Sequence, residues 1–222
     1  MDVATNLTMI QSNIGQACEK SNRHPNEITV IGVTKYVTIE RTKEAINTGI
    51  KNLGENRSEG FLEKYNHIDS DVKWHFIGTL QSRKVKDVVD KVDAIHSLDR
   101  LSLAKEINKR ASKQIDCFVQ VNVSGEESKH GLQPEDVIPF IKEVQKYNYV
   151  RVVGLMTMAP HLEDNERLRG IFKRLALLRK TVQQENLANA PCEFLSMGMS
   201  NDYEVAIEEG ATHIRIGSNL VG

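Results

Sequence analysis

Long apolar runs are absent from the sequence, and none approaches the ~20 residues that a membrane-spanning helix requires. A surplus of one charge is absent too. Lysine and arginine total 29 against 30 aspartates and glutamates, a formal net charge of -1. That balance offers no electrostatic footprint for nucleic acid or an anionic membrane. Cysteine is scarce and odd in number: Cys18, Cys117 and Cys192 lack the paired spacing of a zinc site or a disulfide framework. Cys117 falls inside an apolar strand pattern, the setting of a small core residue. Residues 1–16 lack the basic start and apolar core of a secretory signal. Together these absences describe a cytoplasmic, reduced chain without structural metal. No low-complexity segment, composition break or linker interrupts the 222 residues. One domain over 1–222 is expected, of a size suited to a closed α/β barrel.

What the sequence does have is alternation. Val3, Leu7, Ile10 and Ile14 fall on one helical face, so residues 1–24 open the chain with an amphipathic helix. Strand patterns follow at 28–35, 51–54, 73–78, 94–96, 117–123, 150–156, 193–196 and 213–216. Helical patterns separate most of them. Thr38 can cap a helix that ends at Gly49, and Pro134 suits the first turn of a helix carrying Val137, Ile141 and Val144. The connections are too long for hairpins, so the strands are parallel with right-handed crossovers. Eight such units predict a single (β/α)8 TIM barrel. No room remains for a full eighth helix, and the N-terminal helix is expected to pack on the barrel and cover the gap. In a closed barrel strand 8 lies beside strand 1.

The first strand ends on Lys35, at the carboxyl edge where barrels carry their chemistry. Partial burial there would lower its pKa and fit the amine for a Schiff base with a carbonyl. The plain alternative is a solvated lysine. Near the end of the chain, residues 196–202 and 216–219 leave the seventh and eighth strands as small-residue loops. Barrels commonly bind phosphate with those two loops, although each alone reads as a helix cap or a turn glycine. On the eighth strand His213 and Arg215 share one face and Ile214 and Ile216 the other. With the isoleucines toward the helices, Arg215 points into the barrel. A phosphate site, an amine and an inward arginine describe a pocket for pyridoxal phosphate. Arginine does not readily give up its charge, so a pyridine nitrogen facing it stays unprotonated and the ring is a poor electron sink. His75 reads as a hydrogen-bonded core histidine sooner than a base, and His213 as the same with an inward face. The basic stretch 82–86 reads as a solvated helix start. The polar loop 124–131 is long enough to act as a mobile rim.

At this point the chain resembles the YggS/PROSC family of pyridoxal phosphate homeostasis proteins, whose fold is similar to the barrel domain of alanine racemase. The stretches that carry the resemblance run nearly end to end. They are Val33-Thr34-Lys35, Gly54-Glu55-Asn56, His75-Phe76-Ile77-Gly78-x-Leu80-Gln81, residues 121–132, Gly154-Leu155-Met156, Leu195 to Ser200 with Asp202, and Arg215-Ile216-Gly217-Ser218. The resemblance implies the fold-type III arrangement of pyridoxal phosphate proteins, with Lys35 carrying the cofactor and Arg215 meeting the pyridine nitrogen. It implies that Ser200, Gly217 and Ser218 bind the phosphate and that Asn56 lines the pocket. The chain departs from the family at Arg57-Ser58-Glu59-Gly60, Thr79 and Arg83, around the rim. The expected role is non-catalytic: holding pyridoxal 5′-phosphate for supply to other enzymes, with effects on amino-acid and keto-acid balance. The expected partners are the cofactor and the apo-enzymes that use it, with no nucleic acid and no membrane. No exposed apolar stripe demands an oligomer, so a monomer is expected. Three features favour a carrier over an enzyme: the inferred arginine, the lack of an obvious second acid-base residue opposite Lys35, and an end just after the barrel. The alternatives are a weak amino-acid racemase using Lys35 as a base, and a cofactor-free lysine aldolase.

Overall fold

The computed structural model describes residues 2–126, 130–162 and 164–222. Eight parallel strands form a closed barrel in sequence order: β1 (Thr29–Val33), β2 (Asn52–Glu55), β3 (Lys73–Phe76), β4 (Ala94–Leu98), β5 (Ile115–Gln120), β6 (Val150–Met156), β7 (Phe194–Met199) and β8 (His213–Ile216). Closure runs through β1 and β8, where Ile31 pairs with Arg215. The strands are short, and β1 and β6 are rich in β-branched residues, as suits parallel strands buried on both faces. Their outward side chains meet a ring of helices in one continuous core, with Ile214 and Ile216 fully buried in it. The barrel interior is separate and partly polar. Ala94, Phe118, Val153 and Met156 form its apolar cluster, with Phe194 packed against them.

The helices lie between the strands as the pattern predicts, with one addition. α1 is Val3–Lys20, capped by Asp2, and α2 is Ile39–Asn47, where the Thr38 side chain accepts from the Arg41 N–H at 3.2 Å. The sequence pattern predicts no helix between β2 and β3, yet α3 spans Ser58–His67. Next come α4 (Val85–Val88), α5 (Leu101–Arg110), α6 (Val137–Val144), α7 (Asn165–Gln184) and α8 (Tyr203–Glu208). Pro134 opens a 3-10 turn that leads into α6. After β8 only the single turn α9 (Ser218–Val221) follows. The gap is covered by α1, whose Asn6 side chain donates to the Leu220 carbonyl at 3.0 Å and whose Asn13 donates to the Tyr203 hydroxyl at 2.9 Å. Among the described residues no helix is long and apolar enough to cross a membrane, and no cluster of ligating side chains could hold a metal. Of the rim loop 124–131, residues 127–129 lie outside the described residues.

Candidate functional site

At the carboxyl end of the barrel lies a cavity of about 700 Å³. Lys35, Asn56, Ser200, Arg215, Gly217 and Ser218 all line it. They come from the carboxyl ends of β1, β2, β7 and β8 and the segments that follow them, so the barrel's closure brings them together.

Lys35 stands differently from the sequence reading. β1 ends at Val33, and Lys35 lies two residues beyond it in a turn closed by the Val37 N–H donating to the Thr34 carbonyl at 3.1 Å. Its side chain is exposed, not partly buried, and its Nζ sits 4.8 Å over the ring of Tyr36, itself 78% exposed. The residue before Lys35 is held from beneath. The Thr34 hydroxyl donates to Glu55 Oε1 at 2.6 Å, and Lys64 of α3 donates to the same oxygen at 2.7 Å and to the Thr34 carbonyl. Glu55 and Lys64 are both buried. A buried ion pair therefore anchors the residue before Lys35. Neither partner was read from the sequence as part of the site. Glu55 was visible inside Gly54-Glu55-Asn56, but Lys64 carries no signal of its own.

Arg215 is where the alternation on β8 predicts it, buried inside the barrel. Its Nη1 donates to Ser196 Oγ at 2.5 Å and its Nη2 to the Thr157 carbonyl at 3.0 Å. Two of its five N–H groups are thus used, and among the described residues no carboxylate pairs with it. Burial lowers its pKa to about 10, with Asp202 opposing from a distance. A cation so placed favours a lone pair or an anion on the ligand.

The loops after β7 and β8 are tied to each other. The Gly217 N–H donates to Ser200 Oγ at 3.3 Å, and Asn219 Nδ2 donates to the Ser200 carbonyl at 2.8 Å. Ser200 and Asn201 do not cap α8. Asp202 takes that position, and its carboxylate turns back to accept from the Met199 N–H at 2.6 Å. The Ser200 hydroxyl consequently faces the β8 loop. Asn56 follows β2 and rests against Gly78. A Cβ on Gly78 would collide with the Asn56 carbonyl oxygen and lie 2.8 Å from its Cα.

The loop after β6 contributes Met158, Pro160 and His161 to the same cavity. The sequence reading did not single these out, although their position past the end of a barrel strand was the available signal. His75 is hydrogen-bonded in the interior, with Nδ1 2.9 Å from His96 Nε2 and Nε2 3.0 Å from Asn52 Oδ1.

The cavity fits pyridoxal phosphate in kind. It offers an amine at the mouth, a buried arginine with donors to spare, and hydroxyl and N–H groups on two joined loops. Comparison with known proteins agrees. The family model described as "Alanine racemase, N-terminal domain" matches residues 6–222. A pyridoxal phosphate homeostasis protein of Aquifex aeolicus is 45% identical, over 100% of this chain and 98% of its own length. The structure of PipY of Synechococcus elongatus with PLP bound is 27% identical, with a TM-score of 0.86 over 99% of this chain and all of that one. An alanine racemase of Clostridium difficile shares the fold, with a TM-score of 0.77 at 16% identity, this chain covering 56% of it.

Proposed function

Because the chain belongs to the alanine racemase N-terminal domain family and, within it, with the pyridoxal phosphate homeostasis proteins, we propose that it is a one-domain pyridoxal 5′-phosphate carrier. It holds the cofactor on Lys35 and keeps it available to the enzymes that use it. The observation that carries this reading is the convergence of Lys35, Asn56, Ser200, Arg215, Gly217 and Ser218 on one cavity. Bound there, pyridoxal phosphate supplies an aldehyde, the natural partner of the Lys35 amine.

The chain's own residues do the rest. The Glu55–Lys64 pair fixes Thr34 and so the turn that presents Lys35. Ser200, Gly217 and Ser218 would hold the phosphate at the joined loops, and Asn56 would line the pocket. Arg215 offers N–H groups to the ring nitrogen and, remaining charged, keeps a proton off it. A ring held in that state is a weak electron sink, which supports holding over catalysis. The Aquifex relative, a pyridoxal phosphate homeostasis protein, supports the same role. His161 lines the cavity and is the titratable side chain a racemase reading would use as its second base, so exchange of solvent deuterium into amino-acid α-positions is the discriminating assay. Sustained exchange would make the protein an enzyme.

The test of the cofactor itself is an absorbance spectrum followed by borohydride reduction and intact mass. A yellow protein that gains one pyridoxyl phosphate at Lys35, and a Lys35→Ala variant that gains none, is the expected result. A colourless protein that takes up no added pyridoxal phosphate would refute the proposal.

A further inference from the structure

A line of hydrogen bonds crosses the barrel interior from Arg215 toward its amino-terminal end. Arg215 Nη1 donates to Ser196 Oγ at 2.5 Å, and Ser196 Oγ lies 2.8 Å from His96 Nδ1. His96 Nε2 lies 2.9 Å from His75 Nδ1, and His75 Nε2 lies 3.0 Å from Asn52 Oδ1. Ser196, His96 and His75 are all buried, and His96 stacks on Phe118 with ring centroids 4.1 Å apart.

The two ends fix every proton between them. A guanidinium only donates and an amide oxygen only accepts. His75 must therefore give its Nε2 hydrogen to Asn52 and accept at Nδ1. His96 must then donate from Nε2 and accept at Nδ1, from the Ser196 hydroxyl. Run the other way with neutral rings, the line would set a bare His75 Nε2 against the Asn52 oxygen, acceptor against acceptor. Both rings are thereby neutral Nε2–H tautomers, and the whole line presents its acceptor end to Arg215. An added proton on either ring would turn the Ser196 hydroxyl hydrogen off the line, its oxygen then accepting from both His96 and Arg215.

We propose that Ser196, His96 and His75 are positioning residues, a charge-neutral relay that fixes the orientation of Arg215 without pairing a carboxylate to it, so that its N–H groups stay available to the ligand. A carboxylate would hold the arginine as firmly, but it would cancel the field that the ligand's ring nitrogen meets. The ligand-facing half of this inference rests on the pyridoxal phosphate reading; the relay itself does not.

Two measurements on the full chain test it. Imidazole nitrogen NMR of the ligand-free protein at neutral pH should show His75 and His96 both carrying hydrogen at Nε2 and none at Nδ1. A charged ring, or an Nδ1–H tautomer at either residue, would overturn the relay. In titrations with pyridoxal phosphate, S196A and H96L should bind about tenfold more weakly, the loss of one hydrogen bond to a charged group. H96N, which keeps an acceptor for the Ser196 hydroxyl, should recover most of that loss. Wild-type affinity in both S196A and H96L would overturn the positioning role. If these variants do not fold, the ring tautomers decide alone. A wild-type protein showing both tautomers yet taking up no pyridoxal phosphate would refute the cofactor reading while supporting the relay.

Discussion

The buried pair of Glu55 and Lys64 sets the geometry of the residue that matters most while touching nothing in the cavity. Taking two charges out of water costs several kcal/mol each, and their attraction offsets that only when both are present. Here one Glu55 oxygen accepts from both Lys64 and Thr34, so removing either charge leaves the other buried without its counter-ion. Glu55→Gln and Lys64→Met are each expected to lower stability by about 3 kcal/mol. The double variant should lose clearly less than the sum of the two. Urea unfolding of the three proteins measures this, and additive losses would show that the charges are not coupled. A second consequence is local. With Thr34 released, the turn that presents Lys35 loosens, so each single variant should trap less pyridoxal phosphate under borohydride even where it stays folded.

Strands and loops divide the work in the usual barrel manner, with rigid β-structure below and ligand groups above. The contact of Gly78 with Asn56 shows how closely the two are fitted. Gly78→Ala would drive a methyl into the Asn56 backbone, which cannot yield as a flexible side chain would. It is expected to weaken pyridoxal phosphate binding by at least tenfold and to lower the melting temperature. A variant that binds normally by absorbance titration would mean that Asn56 has freedom the packing does not suggest. The strands were legible in the sequence from apolar runs such as the one in β6 and from the alternation on β8. β6 matches its predicted bounds at Val150–Met156, and β8 does so at His213–Ile216. α3 was not legible: Arg57 gives it no side-chain cap and Gly60 interrupts its first turn. The exposure of Lys35 was not legible because the turn that carries it follows Thr34, whose hydroxyl is held by Glu55, twenty-one residues away. His75 reads from the sequence as a lone core histidine, and His96 only as the end of the 94–96 strand pattern. Their partnership depends on register, since His75 pairs with Ala94 and so meets the residue two places further along β4. No local pattern carries that information.

Taken whole, the molecule encloses histidines that its barrel keeps neutral, and this makes its stability depend on pH in a definite direction. Burial holds His75 down to about 3 and His213 to about 4, and it pushes His96 well below the ordinary value of 6.5. In the unfolded chain the same rings titrate near 6.5. Above that pH both states are neutral and these groups do not change the balance. Below it the unfolded chain takes up protons that the folded barrel refuses, so stability falls as the pH falls. Each fully buried ring contributes a slope of about 1.4 kcal/mol per pH unit, so His75 and His96 together contribute roughly 3. His213, at the edge of the same layer, adds to it. The decline should begin near pH 6.5 and continue toward the folded-state values of about 3 and 4. Against the 5–15 kcal/mol typical of a folded domain, about two pH units of such loss is a large share. The urea midpoint should therefore be nearly constant between pH 7 and 8 and drop steeply between 6.5 and 5. H213F, which removes one titrating ring but keeps an aromatic among Phe118 and Phe194, should make that drop shallower. A midpoint that stays level down to pH 5 would mean that the rings accept protons inside the folded barrel. In that case the interior would be wetter than its packing implies.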